Sequence, residues 1–63
     1  MPHFDICFRD EHGGLAAKVT TPVIDAHHAK ILAHAMKAPE HKTLEVWDGE
    51  TLVYERGHGL SEG

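Results

Sequence analysis

The sequence predicts an α+β domain: a four-stranded antiparallel sheet built as ββαββ, strand order 2-1-3-4, with one helix packed on one face. Three observations predict it. Residues 3–9 alternate between apolar and polar side chains, residues 26–38 are alanine-rich without glycine or proline, and two more alternating runs flank Asp48-Gly49.

In the first run Phe4, Ile6 and Phe8 alternate with Asp5, Cys7 and Arg9, the period of two of a half-buried strand. Asp10-Glu11-His12-Gly13-Gly14 follows, and paired glycines favour a tight turn because they accept positive φ. Leu15, Ala17 and Val19 then alternate with Ala16, Lys18 and Thr20, which completes a hairpin with Leu15, Ala17 and Val19 on the core side. Pro22 ends this strand or confines it to an edge.

Asp25 fits the helix N-cap, since its carboxylate can accept from the free N–H groups of the first turn. Thr21 with Pro22 at the first helical position is the competing start. The helix is expected over residues 26–38, stopped by Pro39. Ala29, Leu32, Ala33 and Met36 share one face, with Ala26 and Ile31 or Ala35 at its margins. His27, Lys30, His34 and Lys37 occupy the opposite, solvated side.

Residues 43–47 and 50–56 make the second hairpin, and two registers compete. A two-residue turn at Asp48-Gly49 pairs Trp47 with Glu50 and puts Leu52 and Tyr54 on the opposite face from Leu44 and Val46. A three-residue turn, Trp47-Asp48-Gly49, pairs Leu44 with Leu52 and gathers Leu44, Val46, Leu52 and Tyr54 on one face. The second register makes the better core. A single domain over 1–56 results, and the glycine-rich stretch 57–63 reads as a flexible tail.

The helix carries the chain back across the sheet, so the third strand runs parallel to the second and antiparallel to the first, beside which it pairs. The most apolar strand thus lies centrally, and the crossover is expected to be right-handed.

A chain of 63 residues buries only about 60% of its unfolded surface, so it needs help from a disulfide, a metal or a partner. Cys7 is the only cysteine, which excludes an internal disulfide and fits a reducing compartment. No apolar run approaches the roughly 20 residues of a membrane span, and Met1-Pro2-His3-Phe4-Asp5 does not resemble a signal peptide. A cytoplasmic protein is the expectation. The formal charge of −4 with neutral histidines argues against a phosphate-tracking nucleic-acid binder. With seven histidines, that charge is sensitive to mild acid.

Histidine is the first candidate for chemistry. A helical metal pair needs His at i and i+4, whereas His27, His28 and His34 are spaced by six and seven. His3 and Cys7 share a strand face but lie about 13 Å apart at normal strand rise. Solvated histidines explain the pattern, and no cofactor is expected; a second copy is the main route to a metal site. Cys7 has no neighbouring base in sequence that would mark a nucleophile. Asp10, Glu11, Asp48 and Glu50 are explained by turn solubility, and Gly13-Gly14 and Gly57-His58-Gly59 do not fit a phosphate loop.

Several segments together resemble a known group. His3-Phe4-Asp5-Ile6, the acidic glycine turn, Asp25-Ala26-x-x-Ala29 and Leu44-Glu45-Val46-x-Asp48-Gly49 resemble short uncharacterised proteobacterial strand-strand-helix-strand-strand proteins of unassigned function, which implies a fold and no chemistry. The stretch Phe8-Arg9-Asp10-Glu11-His12-Gly13-Gly14-Leu15-Ala16-Ala17 is similar to the N-terminal half of HicB-type antitoxins, which implies a toxin-binding partner. The Pro-Gly-Cys segment usual before the helix in that family is missing here, as is a separate DNA-binding element.

One helix leaves the other sheet face open. Cys7, Ala16, Val53 and Trp47 are expected there, mixed with Asp5, Lys18, Glu45 and Glu55. The expected interaction surface therefore comprises Cys7, Trp47 and Val53 on the sheet, with His27, Lys30 and His34 on the helix. The function expected is a non-catalytic interaction module, homodimeric through the open face or an edge strand. A histidine-based metal-binding protein is the alternative.

Overall fold

A computed structural model describes residues 2–57. The elements are β1 (His3–Arg9), β2 (Leu15–Pro22), α1 (Ala26–Met36), β3 (Thr43–Asp48) and β4 (Thr51–Gly57). They form one sheet in the order β2-β1-β3-β4, antiparallel at every pairing. Phe4, Ile6 and Phe8 of β1 and Leu44 and Val46 of β3 are buried under α1, with Ala29 and Ala33 as the buried helix residues. Alanine at both positions lets the helix backbone approach the sheet closely.

Asp25 caps the helix: its carboxylate accepts from the His28 N–H at 2.9 Å. The helix ends at Met36, two residues short of expectation, because Lys37 is already extended and Pro39 disfavours helical backbone at Ala38. His41 closes the turn that follows. Its Nδ1 accepts from the Ala38 N–H at 3.0 Å, and its ring stacks on Phe8 with centroids 4.7 Å apart. Leu32 packs against the core only partly, and Met36 is exposed at the fraying end. Val23 is fully buried, and its N–H donates to the Pro2 carbonyl at 2.9 Å.

Each edge strand carries a bulge, and the bulges settle which side chains face the helix. In the first hairpin Phe8 pairs with Ala17 and Arg9 with Leu15, leaving Ala16 over. Without that extra residue Lys18 would turn toward the core. The displaced side chain is Leu15, expected on the core side but set opposite Arg9 on the open face.

In the second hairpin Asp48 pairs with Thr51 around a two-residue Gly49-Glu50 turn. Only Gly49 has positive φ there, as a type II′ turn requires at its first central position. Val46 then pairs with Tyr54 and Trp47 with Leu52, leaving Val53 over. Neither expected register holds. The turn falls one residue later, and the bulge brings Tyr54 rather than Val53 to the helix side. Leu52 consequently leaves the core. Gly57 pairs with Thr43, so it belongs to β4 and not to a tail; the remainder of the expected tail lies outside the described residues.

Asp10 does more than solubilise its turn. One carboxylate oxygen accepts from the N–H groups of His12 and Gly14, each at 2.9 Å. These two bonds hold the Asp10 carboxyl below its ordinary pKa. The folded form therefore keeps this charge to lower pH than the unfolded chain. The stabilisation is complete above the unfolded pKa and fades as pH falls through the folded one. Asp10→Ala is expected to melt below wild type at neutral pH, with the gap closing in strong acid; thermal melts across that range check it, and a gap independent of pH would contradict it.

Candidate functional site: the open sheet face

Alternation along β1 and β3 sends Asp5, Cys7, Arg9, Glu45 and Trp47 to the face away from the helix. The ladder aligns Lys18, Cys7, Glu45 and Glu55 in one row across all four strands. The next row runs Thr20, Asp5, Trp47 and Leu52. A cation thus marks the β2 edge of the first row and a carboxylate its β4 edge.

The centre of this face is already dry. Glu45 is only 7% exposed and Cys7 8%. Glu45 is satisfied at both oxygens: Arg9 Nε donates to one at 3.1 Å and Trp47 Nε1 to the other at 3.0 Å. Arg9 also donates to the Gly13 carbonyl at 3.2 Å, which ties the network to the first turn. Asp5 accepts from the Thr20 hydroxyl at 2.6 Å. Trp47, placed on this face by its strand position, is anchored there by its indole N–H.

Burial, followed by the nearby Glu45 carboxylate, pushes the Cys7 thiol up from its ordinary pKa. Its sulfur keeps its proton at neutral pH, the opposite of what an activated thiolate needs. A shallow depression of about 250 Å³ lies over β1 and β2, lined by Asp5, Cys7, Arg9, Leu15, Lys18 and Trp47. Leu15 on one edge, and Leu52 with Val53 on the other, are exposed apolar side chains. Sequence reasoning missed Leu15, which strict alternation assigns to the helix side, and Leu52, which the preferred three-residue-turn register assigns there. The signal that finds them is the pair of bulges.

The helical half of the expected surface does not join this face. Lys30 Nζ lies 4.7 Å from the centroid of the Tyr54 ring, and His34 Nε2 lies 2.8 Å from the Tyr54 hydroxyl. Both side chains reach Tyr54 of β4 from the helix: His34 stays exposed, as the helical periodicity predicts, and Lys30 is half-buried. His27 is exposed. The helix end of the sheet and the open face are therefore two separate surfaces, and Cys7, Trp47 and Val53 belong to the second.

Among the described residues, no group of three or more His, Cys, Asp or Glu side chains is placed to hold a metal ion. His28 instead accepts weakly from the Ile24 N–H at 3.4 Å, and His34 and His41 have the partners given above. No helix among the described residues is long and apolar enough to cross a membrane. No family model, curated protein or solved structure matches this chain.

Proposed function

We propose that this chain is a non-catalytic interaction module that pairs with a second copy of itself through the open sheet face. The observation that carries the reading is the make-up of that face: a dry, hydrogen-bonded centre at Cys7 and Glu45 flanked by exposed Leu15, Leu52 and Val53. A polar centre already out of water loses little on being covered, while the apolar flanks gain. The protonated state of Cys7 and the pairing of Glu45 also favour a binding role over a catalytic one.

What favours the face over an edge strand is that both edges carry bulges, the device by which edge strands resist addition of another strand. Strands about 4.8 Å apart with a rise of about 3.3 Å per residue give a face of about 19 by 20 Å per copy. An interface of that size, about 760 Å² over both copies, lies below the range of stable specific contacts and in that of weak ones, so monomer and dimer exchange. Sedimentation equilibrium from micromolar to millimolar protein tests the reading. A concentration-dependent dimer, weakened at least tenfold by Leu52→Asp with an unchanged monomer melt, supports it. A wild-type chain that stays monomeric throughout, or a Leu52→Asp chain that pairs as wild type does, overturns it.

A further inference from the structure

Resting on the self-pairing reading, we infer that the two copies stack with their twofold axis parallel to the strands, so that Lys18 of each copy lies over the partner's Glu55. Two sheets packed face to face sit about 10 Å apart with their strands roughly aligned. A twofold axis lying between them runs either along the strands or across them. The charges on the face distinguish the two.

An axis along the strands reverses each row over itself. β2 lies over the partner's β4 and β1 over the partner's β3. The row Lys18, Cys7, Glu45, Glu55 then meets its own reverse: Lys18 faces the partner's Glu55, and Cys7 faces the partner's Glu45, each twice by symmetry. The thiol is uncharged and the Glu45 oxygens are already bonded, so this middle contact adds no unpaired charge. The two ends each join a cation to a carboxylate. Lys18 and Glu55 are also the charged residues of this face that make no hydrogen bond or ion pair within the chain, among the described residues, whereas Arg9, Glu45 and Asp5 are engaged.

An axis across the strands lays every strand over its own copy. Lys18 then has beneath it the partner's β2, with Leu15, Lys18 and Thr20 on this face. Glu55 has only the partner's β4, with Glu55, Leu52 and Val53. Neither charge meets an opposite one, and Glu55 loses water against apolar side chains. Rim charges of this kind fix register and exclude wrong arrangements more than they add affinity.

Charge reversal tests the arrangement, read by sedimentation equilibrium at low ionic strength with a thermal melt of each monomer as the folding control. Lys18→Glu and Glu55→Lys are each expected to weaken the dimer about tenfold, because each creates two like-charge contacts. The double variant restores both contacts in reversed polarity and is expected within about threefold of wild type. Single reversals that leave the dimer unchanged, or a double variant as weak as either single one, overturn the strand-parallel axis. If Leu52→Asp still abolishes pairing in that case, the open face stands as the contact and only its symmetry is refuted. A wild-type chain with no dimer overturns both.

Discussion

Phe8→Ala is expected to leave the chain largely unfolded at 25 °C. Phe8 is fully buried in the central strand, pairs with Ala17 on one side and Leu44 on the other, and stacks on His41. Truncating such a ring removes about 3–5 kcal/mol. A domain of this length holds only about 3–9 kcal/mol in total, at the usual 0.05–0.15 kcal/mol per residue. The loss also frees His41, which holds the turn between α1 and β3 through Ala38. Far-UV circular dichroism and urea unfolding read the result, with Phe8→Leu as the control that keeps an apolar side chain in place. A cooperative transition for Phe8→Ala within about 1 kcal/mol of wild type would contradict this account of the core.

The second large effect concerns Arg9→Met. Its guanidinium pairs with a carboxylate that is almost completely out of water. Removing one partner of a fully buried pair costs about 3–5 kcal/mol, because the remaining charge stays desolvated. The Arg9 side chain is about a third exposed, so water can enter to replace it, and about 1–3 kcal/mol is expected. The double variant Arg9→Met/Glu45→Gln removes the orphaned charge and keeps an acceptor for the Trp47 indole. It is expected to recover most of the loss. Urea unfolding of the single and double variants at dilute, monomeric concentration decides the matter; a double variant less stable than Arg9→Met would show that the charge is not what the arginine compensates. Lysine cannot replace Arg9 fully, since one ammonium does not span both the carboxylate and the Gly13 carbonyl.

The central strands and the helix were legible because each follows one simple period. Phe4, Ile6 and Phe8 alternate without interruption, and Asp25 sits where an N-cap must. Strand order followed from topology alone. The edge strands were not legible, and for a specific reason. A bulge shifts the phase of alternation along a strand, so Leu15 sits on the opposite side from the one its spacing implies, and Leu52 on the opposite side from the one the better-packed register implies. The forces that place the bulges are long-range: Lys18 must stay out of the core, and Tyr54 fills the helix side better than Val53. Val23 was overlooked because it lies between a strand ending in proline and a helix cap, where neither period applies. The pairing of Glu45 with both Arg9 and Trp47 needed three dimensions, since residues 9 and 45 approach only through the β1–β3 ladder. The clamp of Lys30 and His34 on Tyr54 was hidden in the same way.

The strand at the start of the chain occupies the middle of the sheet, with β3 as its second neighbour. Among these elements β1 is therefore the earliest in sequence and among the last completed. The β1–β2 hairpin can close as soon as it is formed, yet Phe4, Ile6 and Phe8 stay uncovered until the helix and β3 have followed. Closing that long connection carries a larger entropy cost than closing the local hairpin. A chain that has closed only this hairpin thus presents an apolar strand with one free edge, the state in which strands are prone to pair with the wrong partner. Folding speed is expected to depend on how soon residues 43–48 reach residues 5–9.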